Sequence, residues 1–237
     1  MTLKTKTILG PACGLLLAAL PALAGTHSRP YDREGQFRLQ GGVFRPEGDS
    51  DYWRGIERDF TGTIKDFEDP SVGLDFLLPL NDHLSLDFAG SYYQGKTTSS
   101  YRNFVDNRGD RIRHDTTLDI ASATIGVVFH VTGPDAPVRP YIGAGGGAYP
   151  WRLEESGDFI DFRPNPDDVF TARLRSDGVA YGGYWLAGLD VPISRDVSLF
   201  AEGRWTKVDD DLDKDFEGFG KLDLSGRQVS FGISWSL

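Results

Sequence analysis

Residues 228–237 read QVSFGISWSL: Val229, Phe231, Ile233, Trp235 and Leu237 recur at every second position, with Ser or Gly at most positions between. That spacing is the period of a β-strand with one apolar face. It is unusual for a chain end, since termini are commonly polar and frayed. It is also unusual in a chain with a formal net charge of −10 and a mean hydropathy of −0.33. The pattern makes sense if this last strand must be paired, and if its apolar face meets something other than water.

Composition narrows what that something is. Hydrophobic residues make up 39% of the 237, and beyond the N-terminus no stretch approaches the ~20 apolar residues of a spanning helix. Gly at 29 and aromatics at 12%, against one Met and one Cys, favour many short strands. A pI near 4.8 excludes the basic surface that nucleic acid requires, so no nucleic-acid partner is expected.

The first residues, MTLKTKTILGPACGLLLAALPALAG, carry Lys4 and Lys6, an apolar run and then Ala22-Leu23-Ala24. These are the parts of a secretory leader, expected to be cleaved after Ala24. Loss of the two lysines takes the net charge from −10 to −12 and removes the only cysteine, Cys13. The exported chain therefore has to be stable without disulfides. Residues 25–35 are expected to form a short periplasmic segment, and 36–237 a single domain.

Eight strand-like segments follow, at 36–44, 71–80, 84–95, 118–131, 138–151, 178–193, 197–208 and 228–237. Each approximates the ~9–11 tilted residues that cross a bilayer as β-strand. Short turns, NDH, TGPDAP and SRD, alternate with long polar connections at 46–70, 96–117, 152–177 and 209–227. All long connections thus fall at one end of the molecule. The apolar set of each strand, such as Leu84, Leu86, Phe88 and Tyr92, is opposed by a smaller, more polar set, Ser85, Asp87, Ala89 and Ser91. A soluble ligand-binding barrel shares that alternation. The one-ended loops favour a transmembrane barrel, with apolar residues toward lipid and polar ones in the lumen.

The leader, RPYIGAGGGAY at 139–149, the four-loop rhythm and the C-terminal VSFGISWSL make the chain resemble the eight-stranded outer-membrane β-barrels, the outer membrane protein A-like, X-like, W-like and opacity-type group. The resemblance implies an all-β, eight-stranded antiparallel up-and-down barrel in the outer membrane of a Gram-negative-type bacterium. It implies a monomer in contact with outer-membrane lipid and lipopolysaccharide, with no cofactor. The last strand would be the signal read by the barrel assembly machinery, in a variant form ending on Leu237 with Trp235 two residues earlier.

Function rests on sites rather than fold. Alternation turns Arg38, Gln40, Asp75, Asp87, Asp190, Glu202 and Arg204 inward, and Arg38, Asp75, Asp87, Glu202 and Arg204 are expected to form a charge cluster in the lower to middle lumen. Buried charges must pair, which makes this cluster a structural plug or, alternatively, the lining of a narrow pore. Related barrels include lipid A deacylases. His83-x-Ser85 has the spacing of such a site but sits in a periplasmic turn, and His114-Asp115 lacks an evident serine partner. No metal-ligand spacing is found, the acidic run DDDLDKDFEGFG at 209–220 failing the EF-hand pattern. Arg102, Arg108, Arg111 and Arg113 concentrate in the second long loop and suit lipopolysaccharide phosphates. Tyr92, Tyr149, Trp151, Trp205 and Trp235 are expected to form aromatic girdles. Together these readings describe a non-enzymatic barrel supporting envelope integrity or making surface contacts through its loops. The alternatives are a narrow channel for small or hydrophobic solutes, a lipid A-modifying enzyme, or a soluble secreted binding barrel.

Overall fold

A computed structural model of the chain describes residues 35–106, 108–161 and 168–237. The expected leader and residues 25–34 lie outside the described residues. The β-strands are β1 (Gln36–Pro46), β2 (Asp69–Pro79), β3 (Leu84–Val105), β4 (Arg111–His130), β5 (Arg139–Asp161), β6 (Asp168–Pro192), β7 (Val197–Lys207), β8 (Asp209–Asp211), β9 (Lys221–Asp223) and β10 (Gly226–Ser236). Eight of them close a ring in the order β1-β10-β7-β6-β5-β4-β3-β2, every neighbour antiparallel.

The C-terminal strand is held along its whole length. It pairs with β1 from Gln36↔Ser236 to Pro46↔Gly226 and with β7 on its other edge. The Leu237 amide donates to the Gly35 carbonyl at 3.0 Å, and the Ser236 amide to that of Asp196 at 2.8 Å. No edge is left in the ring, which is the only way a sheet can leave its backbone without water.

Alternation sorts the side chains as the sequence implies. Leu39, Val43, Val72, Leu74, Phe88, Ile125, Val127, Phe129, Ile142, Leu189, Leu199, Phe231 and Ile233 are exposed on the outer surface. Their in-between neighbours Arg38, Gln40, Ser71, Asp75, Ser85, Asp87, Thr124, Asp190, Ser198, Glu202, Ser230 and Ser234 are buried. An apolar exterior around a polar interior is the inverse of a soluble barrel and the signature of a lipid-facing one. Tight turns close the periplasmic end. In one, Asn81 Oδ1 accepts from the amides of His83 and Leu84, both at 2.9 Å.

Two of the four expected long loops are not loops. Strands β3 and β4 run on as a paired hairpin to Val105 and Arg111, and β5 and β6 to Asp161 and Asp168. These strands have 20 to 25 residues, about twice what a bilayer needs. Above the membrane both faces meet water or loops, so the apolar alternation that marks the belt fades while the backbone pairing continues. The other two connections are compact. The first holds α1 (Asp51–Asp59), whose N-cap Ser50 accepts from the Trp53 amide at 3.5 Å, with Asp51 in its first turn and Arg58 in its last. The fourth holds the β8–β9 hairpin.

Arginine on the lipid face near mid-depth should cost about 2–4 kcal/mol. Ile233→Arg and Leu86→Arg are therefore expected to lose folding in liposome titrations. Asn103→Arg, on the exposed outer part of the β3–β4 hairpin, should fold like the wild type; equal behaviour of the three would refute the lipid-facing assignment.

Candidate functional site

The lumen is filled in two tiers. In the lower tier, Arg38 on β1 lies between the rings of Tyr141 and Phe200, its Cζ 4.8 and 4.7 Å from their centroids. Its guanidinium is 3.7 Å from Asp190 and 3.9 Å from Glu202. Glu202 also accepts from Arg204 Nε at 3.2 Å and from the Tyr141 hydroxyl at 3.1 Å. Arg204 stacks on Tyr184 at 4.4 Å and comes within 3.8 Å of Asp87, which accepts from the Tyr184 hydroxyl at 3.2 Å. Asp75 accepts from the Gln40 amide at 2.9 and 3.2 Å, while Gln40 Oε1 accepts from Ser230 at 2.6 Å. Nearer the periplasm, Arg139 reaches Asp190 at 2.7 Å and Ser198 at 3.1 Å.

All five residues of the expected cluster are thus brought together. Asp75 differs in detail: it faces Arg38 across β1–β2 in register, yet its hydrogen bonds come from Gln40. The sequence reading missed Tyr141, Tyr184 and Phe200, the platforms on which the arginines lie. Phe200 shares the strand parity that turns Glu202 and Arg204 inward on β7, and Tyr184 that of Asp190 on β6. Glycine makes room for them. A Cβ on Gly188 would stand 2.4 Å from the Tyr141 hydroxyl, and one on Gly126 2.3 Å from that of Tyr184.

The upper tier is apolar and is built by the first and fourth connections. Trp53 and Tyr52 of α1, Phe67, Phe216, Leu222 and Leu224 pack on Phe44, Tyr93, Leu118, Ile120, Tyr149, Trp151 and Leu153 of the barrel mouth. Trp53 and Phe67 are 1% and 0% exposed, which makes this cap a folded core rather than a loose covering. Polar ties fix its position. Trp53 Nε1 donates to the Asp223 carbonyl at 2.9 Å, Trp151 Nε1 to Asp210 at 2.7 Å, and the Tyr93 hydroxyl to the Phe67 carbonyl. Between the tiers, a cavity of only about 30 Å³ is lined by residues including Arg204, Ser91, Ser122 and Gln228. That is space on the scale of ordered water, not of a solute.

Two of the expected girdle aromatics are therefore corrected: Tyr149 and Trp151 point inward and belong to the cap. The Gly/Ala-rich run of β5 is apolar on both faces, so residue type and height could not reveal their direction. Tyr92, Trp205 and Trp235 do face outward, Trp205 stacked flat on Trp185 with centroids 3.8 Å apart.

Two buried titratable groups lie above the belt, one against the cap and one in a separate aromatic cluster on the β3–β4 hairpin. Glu155 accepts from the Tyr52 hydroxyl at 2.5 Å, and burial pushes its carboxyl up to about 6. His114 lies against Phe60 and Phe159, and burial pushes its imidazole down to about 4. Its Nε2 is 3.0 Å from Ser99 Oγ, so the serine that sequence could not place is supplied by the neighbouring strand. Ser99 and His114 are 3% and 2% exposed, and among the described residues His114 Nδ1 has no hydrogen-bond partner. A nucleophile–base pair needs both an orienting acceptor and an open approach, and this pair has neither. His83 instead caps a turn, its Nδ1 2.8 Å from the His130 carbonyl.

Outside the belt, the four arginines of the second connection sit on the β3–β4 hairpin, exposed and without an acidic partner within 4 Å among the described residues. Nearby acids on the same hairpin are occupied by other groups. Asp106 accepts from the Arg108 and Asp110 amides, while Asp115 takes Lys96 at 3.0 Å and Thr98 at 2.6 Å. Arg102 Nε donates to the Glu57 carbonyl at 3.3 Å.

No family model and no curated protein matches the sequence. Among solved structures, the outer membrane protein OprG of Pseudomonas aeruginosa is 12% identical, with a TM-score of 0.50 over 86% of this chain and 96% of that one. Neisserial surface protein A is also 12% identical, at 0.48 over 86% and 97%. Outer membrane protein W of E. coli is 15% identical, at 0.40 over 87% and 100%. The fold is that of the eight-stranded outer-membrane β-barrels.

Two measurements probe the tiers. Glu202→Ala leaves Arg38 and Arg204 short of their shared carboxylate in a closed, crowded lumen and should cost about 3–5 kcal/mol of stability. In the cap, a carboxyl raised from 4.5 to about 6 favours the closed state below pH 4.5 and loses that contribution as pH rises through 6. Glu155→Gln, which keeps an acceptor for Tyr52, should therefore protect the α1 amides from hydrogen exchange better than wild type at pH 7.5. That advantage should vanish by pH 4.5. Comparing the two proteins at each pH removes the opposing slope of His114, common to both.

Proposed function

We propose that this chain is a closed, non-catalytic barrel of the outer membrane that makes surface contacts through the structures it raises above the lipid. The observation that carries this reading is the double closure of the lumen, by paired charges below and by the folded cap above. Each closure alone would obstruct a narrow path. A transport role would require both to reorganise, the lower one against the cost of separating buried ion pairs. The β3–β4 and β5–β6 hairpins, by contrast, are paired, antiparallel and reach well past the belt, which suits presentation. The sealed Ser99–His114 pair supports the non-catalytic part of the reading, and its placement under Phe60 is what an aromatic-packed structural histidine looks like.

Conductance separates this reading from the channel. Wild-type protein in planar bilayers should show no steady open level between pH 5 and 8. Steady channels together with a stability-neutral Glu202→Ala would mean a wetted lumen in which water screens the charges, and would overturn it.

A further inference from the structure

The surface-contact reading gains a partner from the way charge is distributed. The chain is strongly acidic, and above the belt its arginines are mostly matched within the fold. Arg45 pairs with Glu68, Arg54 with Asp51 at 2.6 Å, Arg173 with Glu154 at 2.6 Å, Arg175 with Asp177 at 3.0 Å and Arg227 with Glu47 at 3.0 Å. The β3–β4 hairpin departs from this rule. Along β4, Ile112 and His114 turn toward the packed interior while Arg111 and Arg113 alternate with them on the outer face. They therefore face sideways, away from the barrel axis, like the lipid-facing residues below them. Arg108 adds a third exposed guanidinium near the turn.

Height decides which anions they can meet. The outward apolar set on β4 ends at Ala121, and Asp119 is its first outward charge, bonded to Tyr92 at 2.8 Å and Gln94 at 2.7 Å. At ~3.3 Å per residue, Arg113 stands roughly 20 Å further along the strand and Arg111 farther still. Phosphates attached to the lipid itself lie at the belt edge, below these side chains. What surrounds the barrel at the height of the arginines is the sugar layer of the outer leaflet.

We propose that Arg111 and Arg113, with Arg108, form a lateral docking face for phosphorylated core sugars of the lipopolysaccharide standing around the barrel. This rests on the surface-contact reading and narrows the lipopolysaccharide phosphates expected from the sequence to those carried by the core sugars. Guanidinium forks bind phosphate bidentately and in a fixed plane, and strand alternation presents two of them about 7 Å apart on one face.

The test uses the full barrel in detergent micelles, titrated with fluorescent lipopolysaccharide in three forms: phosphorylated core, the same core stripped of phosphate, and lipid A alone. The double variant Arg111→Ala/Arg113→Ala should bind the phosphorylated-core form about tenfold more weakly than wild type, with a shallower salt dependence. On the other two forms, wild type and variant should bind alike. Arg111→Lys/Arg113→Lys should recover part of the loss, because charge survives and the fork does not. Equal binding by wild type and the double variant on the phosphorylated form would overturn the proposal. So would the same loss on lipid A alone, which would lower the site to the belt edge. A soluble sulfated oligosaccharide that bound these arginines as tightly as the phosphorylated core would overturn it in favour of a partner beyond the cell. Both variants keep the lumen intact, so their conductance tests the closed-barrel reading separately.

Discussion

The pairing of the first strand with the last is the constraint from which the remaining structure follows. Lipid offers no hydrogen bonds, so each backbone amide and carbonyl in the belt must find its partner within the sheet. The match between β1 and β10, running from Gln36↔Ser236 to Pro46↔Gly226 without a shift, meets that demand at the seam. It also fixes the pleat. Once Leu39 stands beside Ile233 on the outside, Arg38 must face Ser234 and the lumen, and Gln40 must face Gly232. A slip of one residue would place Arg38 in lipid and Leu39 inside.

An interior that narrow cannot be filled by charge alone. The arginines lie flat on Tyr141, Phe200 and Tyr184, so apolar ring faces cover one side of each guanidinium while carboxylates approach its rim. Several polar atoms have no partner among the described residues, including Arg38 Nε, Asp87 Oδ1, Asp190 Oδ1 and Arg204 Nη2. Buried groups of this kind are normally satisfied by ordered water. The lower tier is accordingly a compact polar network, while the upper tier is an ordinary hydrophobic core that happens to lie outside the membrane.

Much of this was legible in the sequence, and the limits have physical causes. Period-two alternation revealed the eight strands and the inward charges, because in the belt one face meets lipid and the other does not. The hairpin extensions were read as loops, since both of their faces meet polar surroundings and strand pairing leaves no such trace. Tyr149 and Trp151 were assigned to the wrong face, their strand being small and apolar on both sides. The cap was invisible: Tyr52, Trp53, Phe67, Phe216 and Leu222 are scattered among acidic residues and assemble only from segments far apart in the chain. Ser99 and His114 became partners through the pairing of β3 with β4, at positions where no loop reading would set them side by side.

The two connections that build the cap flank the seam. One leaves β1 and the other enters β10, and they are tied across it by the Glu47 amide on the Ser225 carbonyl at 2.9 Å and the Asp49 amide on Asp223 at 2.9 Å. Their meeting point does not exist until the ring has closed. Contacts that need the closed ring in place can act only on the finished barrel, whether the cap opens by itself or together with it. Interactions absent from the transition state act on the rate of unfolding rather than of folding. In this molecule the extracellular core is a lock on the lifetime of the barrel, fastened over the one joint at which the sheet was sealed.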